Sequence, residues 1–290
     1  MLEQQLINGL MLGASYAMVA IGYTLIFGVL RLLHFAHGEV FMLGAFFGLH
    51  IVLAFSGANI YFAIAGAMIG TGIVGVLIAY LAVRPVSNKY PLAPLISTIG
   101  VTIVIQNVAI SIFGGSQVAF PERIEPTLYR FGDLTISSVQ IFIIVVAFAL
   151  MISMWFLIEK TKIGRAIRAT SENHETAALL GVNVNFIVLF VFLLASCLAG
   201  AAGVLDGLKN SNVSPFMGLE VAVKALVCML LGGLGNIVGA LVAGFLLGTV
   251  EILSSAYWGS GLRDFLTFVI LIAILMFRPT GLFGTRVVRD

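Results

Sequence analysis

His34 and His37, with Glu39 two positions on, form the tightest grouping of side chains that could ligate a metal or pass a proton. A protein-held metal needs three or four convergent ligands, and no fourth candidate stands nearby. The segment therefore reads first as a tight turn at a membrane interface, and no metal is expected. No H-x-x-x-H or H-E-x-x-H spacing occurs, and Cys197 and Cys228 sit apart in apolar segments, so no disulfide framework or thiolate site is indicated. The chain has no P-loop, no G-x-G-x-x-G and no G-x-S-x-G. No Ser/His, Asp/Asp or His/Asp pair falls at one depth, which argues against a peptidase or acyltransferase. The chain is expected to make and break no covalent bonds, to be no enzyme and to bind no cofactor itself.

Other polar groups suit movement of a solute rather than reaction. Thr98, Thr102 and Gln106 recur every four residues, with Ser97 and Asn107 beside them, which makes one polar stripe on a helix. Asn8, Ser15 and Tyr16 mark a second, weaker set near the N-terminus, beside the small-residue pattern Gly9-x-x-x-Gly13. Such groups either line a polar route or form interhelical hydrogen bonds, worth roughly 0.6 kcal/mol each. Spacing does not separate the two. Glu220 and Lys224 stand at i and i+4 with the acid first, the favourable order for a pair on one helix. They read as neutralising each other near the outer end of a short helix. Glu39, Asp206, Glu251 and Asp264 fall at the ends of expected spans. Ion coupling would place such carboxylates deep and paired, so these positions argue against an ATP-independent secondary transporter.

The elements that must hold these groups are membrane helices. Of 290 residues, 60% are apolar and 10% charged, against about 25% charged in soluble domains. So few charges do not cover a water-facing surface, and the fold expected is an all-α polytopic membrane protein in one domain, residues 1–290. The net charge of +2 is small and dispersed, and no nucleic-acid partner is expected. Residues 1–30 hold no Lys or Arg, and their apolar run is too long for a signal peptide.

A crossing needs about 20 apolar residues. Expected spans are Leu6–Leu30, Val40–Phe55, Tyr61–Val83, Leu92–Phe113, Ile136–Ile158, Phe186–Leu208, Leu219–Leu231, Ile237–Leu253 and Leu262–Phe277. That is eight or nine segments, with 219–253 a re-entrant or broken pair around Gly232, Gly233, Gly235 and Asn236. Basic residues orient the chain. With 159–185 placed in the cytoplasm, Arg31, Arg84, Lys89, Arg278, Arg286 and Arg289 also fall inside, leaving Arg123, Arg130, Lys209, Lys224 and Arg263. The N-terminus is then external and the C-terminus cytoplasmic. Residues 114–135 form the one sizeable external loop. Its Pro121 and Pro126 suggest a short irregular cap, with Glu122, Arg123, Glu125, Arg130 and Asp133 as its charges. Arg84-Pro85 and Arg278-Pro279 each follow an apolar run, and read as helix stops at the cytoplasmic interface more than as an internal repeat.

Residues 159–185 are a polar island between apolar runs. Lys160 to Ala169 is basic and helix-compatible, with Arg165 and Arg168 in it. Thr170-Ser171 is expected to interrupt and cap a second helix, with Glu172 and Glu175 in its first turn. That helix would run through Ala177-Ala178-Leu179-Leu180 and stop at Gly181 as the residue after the C-cap. So short a helix is unstable alone. It makes sense lying on the membrane and inserted into a partner's groove. A membrane-surface loop with no partner is the other reading.

Glu175-Thr176-Ala177, followed at the proper distance by Gly181, resembles the E-A-A-x-x-x-G loop of ABC importer permeases. Thr176 replaces one Ala. Where that pattern continues to Ile-x-Leu-Pro, this chain has Val191-Phe192-Leu193-Leu194. The missing Pro points to the branch that handles branched-chain amino acids and its urea and sugar relatives. Phe35-Ala36-His37-Gly38-Glu39, Ile163–Ala169, Leu231–Gly239 and Arg278–Gly284 carry the same resemblance across nearly the whole chain. The chain is similar to the smaller permease subunits of branched-chain amino acid importers of the bacterial inner membrane, with urea or amide permeases as the alternative. The resemblance implies a second, larger permease, two cytoplasmic ATPase subunits that use the ATP, and a periplasmic binding protein that delivers cargo. It also implies that the coupling helix around Glu175 to Gly181 docks the ATPase, with Arg165, Arg168, Ser171, Glu172, Ala177, Ala178 and Leu179 as neighbours.

Overall fold

The computed structural model describes residues 2–55, 59–86, 92–121, 124, 127–131, 134–278 and 280–284. The calls on Lys89, Glu122, Arg123, Glu125, Pro126, Asp133, Pro279, Arg286 and Arg289 lie outside the described residues. Long helices dominate: α1 Leu2–Leu30, α2 His37–Ala54, α3 Ile60–Ile78, α4 Ala93–Phe113, α5 Ser138–Lys160, α8 Val184–Asn210 and α10 Ile237–Trp258. A π-helical turn, Ala79–Val83, prolongs α3. Among the described residues, these seven are long and apolar enough to cross a membrane. The elbow carries α6 Lys162–Glu172 and α7 His174–Leu179, and two shorter apolar helices follow, α9 Met217–Gly232 and α11 Arg263–Phe277. With 16 and 15 residues, α9 and α11 fall short of the about 20 a straight crossing needs.

The expected segments thus correspond to observed helices, with two departures. The loop after α4 is not purely irregular. Strand β1 (Val118–Ala119) pairs with β4 (Asn212–Val213) after α8, and β2 (Leu128–Phe131) pairs with β3 (Leu134–Ser137) as a hairpin. Tyr129, Thr135 and Ile136 are residues that favour a pleated surface, a signal the prolines obscured. The second departure concerns α10, which runs to Trp258, past the expected stop at Leu253.

Local chemistry sets the helix starts. Ser137 and Gln140 form a capping box at α5. Thr161, Asn173, Asn183 and Asn236 each accept a backbone N–H at the starts of α6, α7, α8 and α10. Thr170 and Ser171 do not interrupt the elbow helix. Their hydroxyls donate back to Ala166 and Arg168 carbonyls at 2.8 and 2.7 Å, so α6 continues to Glu172 and the break comes at Asn173. Glu172 is therefore at the end of α6 and not in the first turn of α7.

Small residues set the packing. α1 and α10 run antiparallel with Gly9 and Gly13 facing Gly244 to Thr249; a Cβ on Gly13 would lie 2.8 Å from the Phe245 Cα. Gly44 on α2 meets the Gly200 backbone on α8, and Gly75 on α3 meets Phe192 and Ser196. Lipid offers no hydrophobic drive for helix association, so close backbone approach through glycine supplies it.

The two ends of the bundle are distinct. At one end, Gln4 Oε1 accepts from Thr135 N (3.0 Å), Gln140 Nε2 donates to Asn8 Oδ1 (3.1 Å) and β1 meets β4. At the other lie the elbow, the C-terminus of α1 and the α9–α10 turn. The pair 219–253 therefore reaches the elbow end. It begins beside the start of α2, within the length of the bundle: Gly218 lies against Gly38, and His37 at the start of α2 lies against Gly22, about two turns before α1 ends. The link 31–36 accordingly turns back into the bundle, with His34 and His37 1% and 0% exposed, and is not an interfacial turn.

Replacing Gly248 by Val should prevent the α1–α10 approach, whereas Gly100→Ala meets nothing within 4 Å. Thermal unfolding of the two purified variants in detergent is expected to show loss of folded protein for the first and wild-type behaviour for the second.

Candidate functional site

The elbow is a rigid bracket. Thr161 Oγ1 donates to Leu157 O (2.6 Å) and accepts from Gly164 N (3.0 Å), so α5 turns into α6 without a flexible joint. Gly164 abuts the Leu157 and Ile158 carbonyls, and Ile167 and Thr170 face inward. The Arg168 guanidinium donates to the Ile158 carbonyl and pairs with Glu159 at 3.4 Å. Asn173 caps α7, whose His174 Nε2 donates to the Val29 carbonyl at the end of α1 (2.6 Å). Gly181 has φ +85°, and Gly181 N and Val182 N bond to the Ala178 and Ala177 carbonyls at 3.0 Å each. The expected stop at Gly181 is thus the observed one.

The bracket presents a small, mixed surface. Ala177 is buried, while Leu179 and Leu180 are 88% and 77% exposed. Arg165, Glu172, Glu175, Ala178 and Gly181 are exposed, and Arg168 and Ser171 are half-buried. Of the expected docking residues, Ala177 holds α7 against the protein, Arg168 braces the elbow and Ser171 bonds back to the Arg168 carbonyl; the others face outward.

Beside the elbow, the glycine-rich turn is stapled by the C-terminal segment. Gly233 and Gly235 have φ of +104° and +83°. Leu282 N and Phe283 N donate to the Leu231 and Gly232 carbonyls at 2.7 and 3.1 Å, and Asn236 Nδ2 donates to Phe283 O at 3.1 Å. A Cβ on Gly233 would approach the Gly284 Cα at 2.8 Å. The turn candidates Gly232, Gly233, Gly235 and Asn236 are therefore brought together, and two separate sequence segments, 231–239 and 278–284, turn out to be one structural unit.

The expected polar stripe is less of a channel. Thr98 is buried, Thr102 and Gln106 are half-buried, and all three face the bundle. Ser97 donates to Ala82 O (2.6 Å), Thr98 to Leu95 O (2.9 Å) and Thr102 to Thr98 O (3.0 Å), while Thr98 Oγ1 accepts from Phe35 N (3.3 Å). These hydroxyls are occupied by backbone. Asn8 ties α1 to α5 through Gln140, and Ser15 Oγ is buried with no hydrogen-bond partner among the described residues.

The polar site that spacing did not find lies around Glu251. Lys224 and Glu251 are 4% and 0% exposed and pair at 2.7 Å. Lys224 Nζ also reaches Glu220 (3.2 Å) and Asp264 (3.1 Å), and Arg263 Nε contacts Glu251 Oε1. The Tyr16 hydroxyl donates to Glu251 at 3.2 Å, and Lys224 Nζ stands 5.7 Å from the Tyr16 ring centre. Tyr16 is the middle residue of α1, and Glu251 lies about two turns inside α10. The Glu220–Lys224 pair is consequently not a self-contained surface pair, and Glu251 and Asp264 are not isolated at span ends. Ending α10 at Leu253 hid this. A lone lysine in an otherwise apolar helix was the usable signal, because a charge at that depth requires partners from other helices. Asp206 is likewise paired, with Lys209 (2.6 Å) and Asn210 (2.9 Å).

With this geometry in view, a family model described as "Branched-chain amino acid transport system / permease component" matches residues 5–275. The chain belongs to this family. The branched-chain permease family includes the high-affinity branched-chain amino acid transport system permease protein BraD of Pseudomonas aeruginosa, 36% identical over 97% of this chain and 95% of the relative. LivH of Escherichia coli K12, with the same description, is 35% identical over the same shares. The ribose import permease protein RbsC of E. coli K12 aligns over only 43% of this chain, at 30% identity. A chain of the solved structure "PsaBC from Streptococcus pneumoniae in complex with Fab" shares the fold, with a TM-score of 0.51 over 95% of this chain and 92% of that one, at 11% identity. As a family member with seven apolar helices, the chain is a multi-pass inner-membrane permease component of a transport system.

The stapled turn is open to test. Asn236→Ala removes the α10 cap and the bond to Phe283, and is expected to cost about 1–2 kcal/mol. Asn107→Ala, an exposed amide bonded only to Ile103 O, is expected to stay within about 0.5 kcal/mol. Chemical denaturation in detergent measures both.

Proposed function

We propose that this chain is one permease subunit of an ATP-driven importer and forms part of the path for branched-chain and similar hydrophobic amino acids. The observation that carries the reading is the bracket at the elbow. It holds a six-residue helix, α7, rigidly against α1 and α5–α6 while exposing Leu179, Leu180 and Glu175. A short helix of this kind, unstable by itself, suits insertion into a groove on a partner. In this reading the groove belongs to a cytoplasmic ATPase subunit, and the elbow end of the bundle faces the cytoplasm.

That orientation puts the N-terminus and the β-hairpin outside, where a periplasmic binding protein would deliver cargo, and the C-terminal segment inside. The cargo assignment is supported by BraD and LivH, whose descriptions name branched-chain amino acids. A second permease, larger and related, completes the path, and two ATPase subunits bind beneath. This chain holds no cofactor, and ATP acts on the partners alone. Closure of the ATPases would press on α7, and the bracket would pass the motion to α1 through His174 and to α5 through α6. Transport is then alternating access biased by ATP. The single permease domain, 1–290, moves as a set of helices hung on this bracket.

In a complex reconstituted with its ATPases, second permease and binding protein, Glu175→Arg and Leu179→Asp are each expected to lower cargo-stimulated ATP hydrolysis by about ten-fold or more. The permease itself should still insert and remain monodisperse. Normal stimulation in both variants would exclude the elbow as the docking element.

A further inference from the structure

Three carboxylates and two cations meet where the last turns of α10 pass the start of α11, and the Tyr16 side chain of α1 reaches into them. Glu251 is fully buried, Lys224 is 4% exposed, and Arg263 is one-third exposed. Glu220 and Asp264 stand at the mouth, with 65% and 63% of their side chains exposed. Two features distinguish this cluster from a closed structural ion pair. First, its formal charge is one negative unit in excess. Second, the Glu251 Oε2 atom is buried with no hydrogen-bond partner among the described residues, although Oε1 of the same carboxylate accepts from Lys224 and Tyr16 and lies against the Arg263 guanidinium. A buried carboxylate oxygen without a partner carries a desolvation cost that native proteins relieve with a ligand or water.

The surroundings fit an aliphatic guest. Along α9, Leu219, Val223 and Leu230 are exposed on the side that carries Glu220. On α11, Phe265 and Val269 are exposed beyond Asp264. Charged side chains half-open at this depth do not face lipid hydrocarbon at acceptable cost. They are expected to face water or another polar chain instead.

We propose that this network is the polar subsite of the translocation path, in which the exposed Glu220 and Asp264 receive the α-ammonium of the cargo and the part-exposed Arg263 its carboxylate, with Glu251 buried behind them. The inference rests on the amino acid cargo proposed above and locates where this chain recognises it. Lys224 is a positioning residue: it holds the carboxylates together so that a passing ammonium meets the two exposed ones. The apolar cargo side chain lies against Leu219 and Val223.

The test uses the full importer in proteoliposomes with ATP inside and binding protein outside. Glu220→Gln/Asp264→Asn removes both rim charges from exposed positions. Leucine uptake is expected to fall about ten-fold or more, with complex assembly unchanged by size-exclusion chromatography. Replacing sodium and potassium outside by choline should leave wild-type uptake unchanged; a requirement for either ion would overturn the ammonium assignment. In a Cys197→Ser/Cys228→Ser background, Glu220→Cys should react with a water-soluble charged methanethiosulfonate, and leucine with binding protein should slow that reaction under turnover. An unreactive cysteine means that this face is covered by lipid or by the partner permease, and overturns the proposal. So does a double variant that imports leucine at the wild-type rate. If the wild-type complex imports no leucine at all, the cargo reading fails instead, and the two failures are distinguishable.

Discussion

A lysine and a glutamate that are both buried in a membrane bundle have to find each other, and here Lys224 and Glu251 do so at 2.7 Å. Removing both from water costs several kcal/mol per ion, which only close pairing and further hydrogen bonds offset. Tyr16, Arg263, Glu220 and Asp264 supply those further contacts. The requirement therefore fixes four helices relative to one another: α1 through Tyr16, α9 through Lys224, α10 through Glu251 and α11 through its first turn. The rest of the bundle is arranged around that demand. Glycine pairs bring α1 and α10 close enough for the Tyr16 hydroxyl to reach Glu251, and the short α9 begins inside the bundle beside Gly38.

The same helices lead to the elbow end. α9 and α10 join at the glycine-rich turn, which the C-terminal Leu282–Phe283 segment pins through backbone hydrogen bonds. Next to it, Glu159 and Arg168 brace α5 against α6, and His174 braces α7 against α1. A push on α7 is thus delivered to the helix whose midpoint carries Tyr16. The site where energy would enter and the site where cargo would pass are linked by α1 itself, with rigid secondary structure between them.

How much of this was legible in the sequence depends on the length scale of the signal. Helix positions follow from runs of apolar residues, and the stop at Gly181 follows from one glycine in a left-handed conformation. Both are local. The capping role expected of Thr170 and Ser171 failed because their hydroxyls have nearby helix carbonyls to bond, and Asn173 offered a better break. Thr98, Thr102 and Gln106 do share a face, yet the Thr98 and Thr102 hydroxyls are occupied within the helix or by Phe35, which periodicity does not reveal. Glu251 was misplaced for a related reason. Its partners lie 27 and 235 positions away in the chain, and no single-helix pattern connects them. The burial of His34 and His37 is equally non-local, since it depends on Gly22 and Phe192 coming to meet them.

The central claim is that Lys224 and Glu251 act as one buried unit. A double-mutant cycle on the purified permease in detergent, with Lys224→Met, Glu251→Gln and the combined variant, measures it directly by equilibrium unfolding. Each single change is expected to cost about 3 kcal/mol, because the buried charge that remains loses its nearest fully buried counter-charge. The combined variant should cost well below the sum, with a coupling of at least about 2 kcal/mol. Additive losses would contradict the account, since they would mean that the two side chains stabilise the bundle independently.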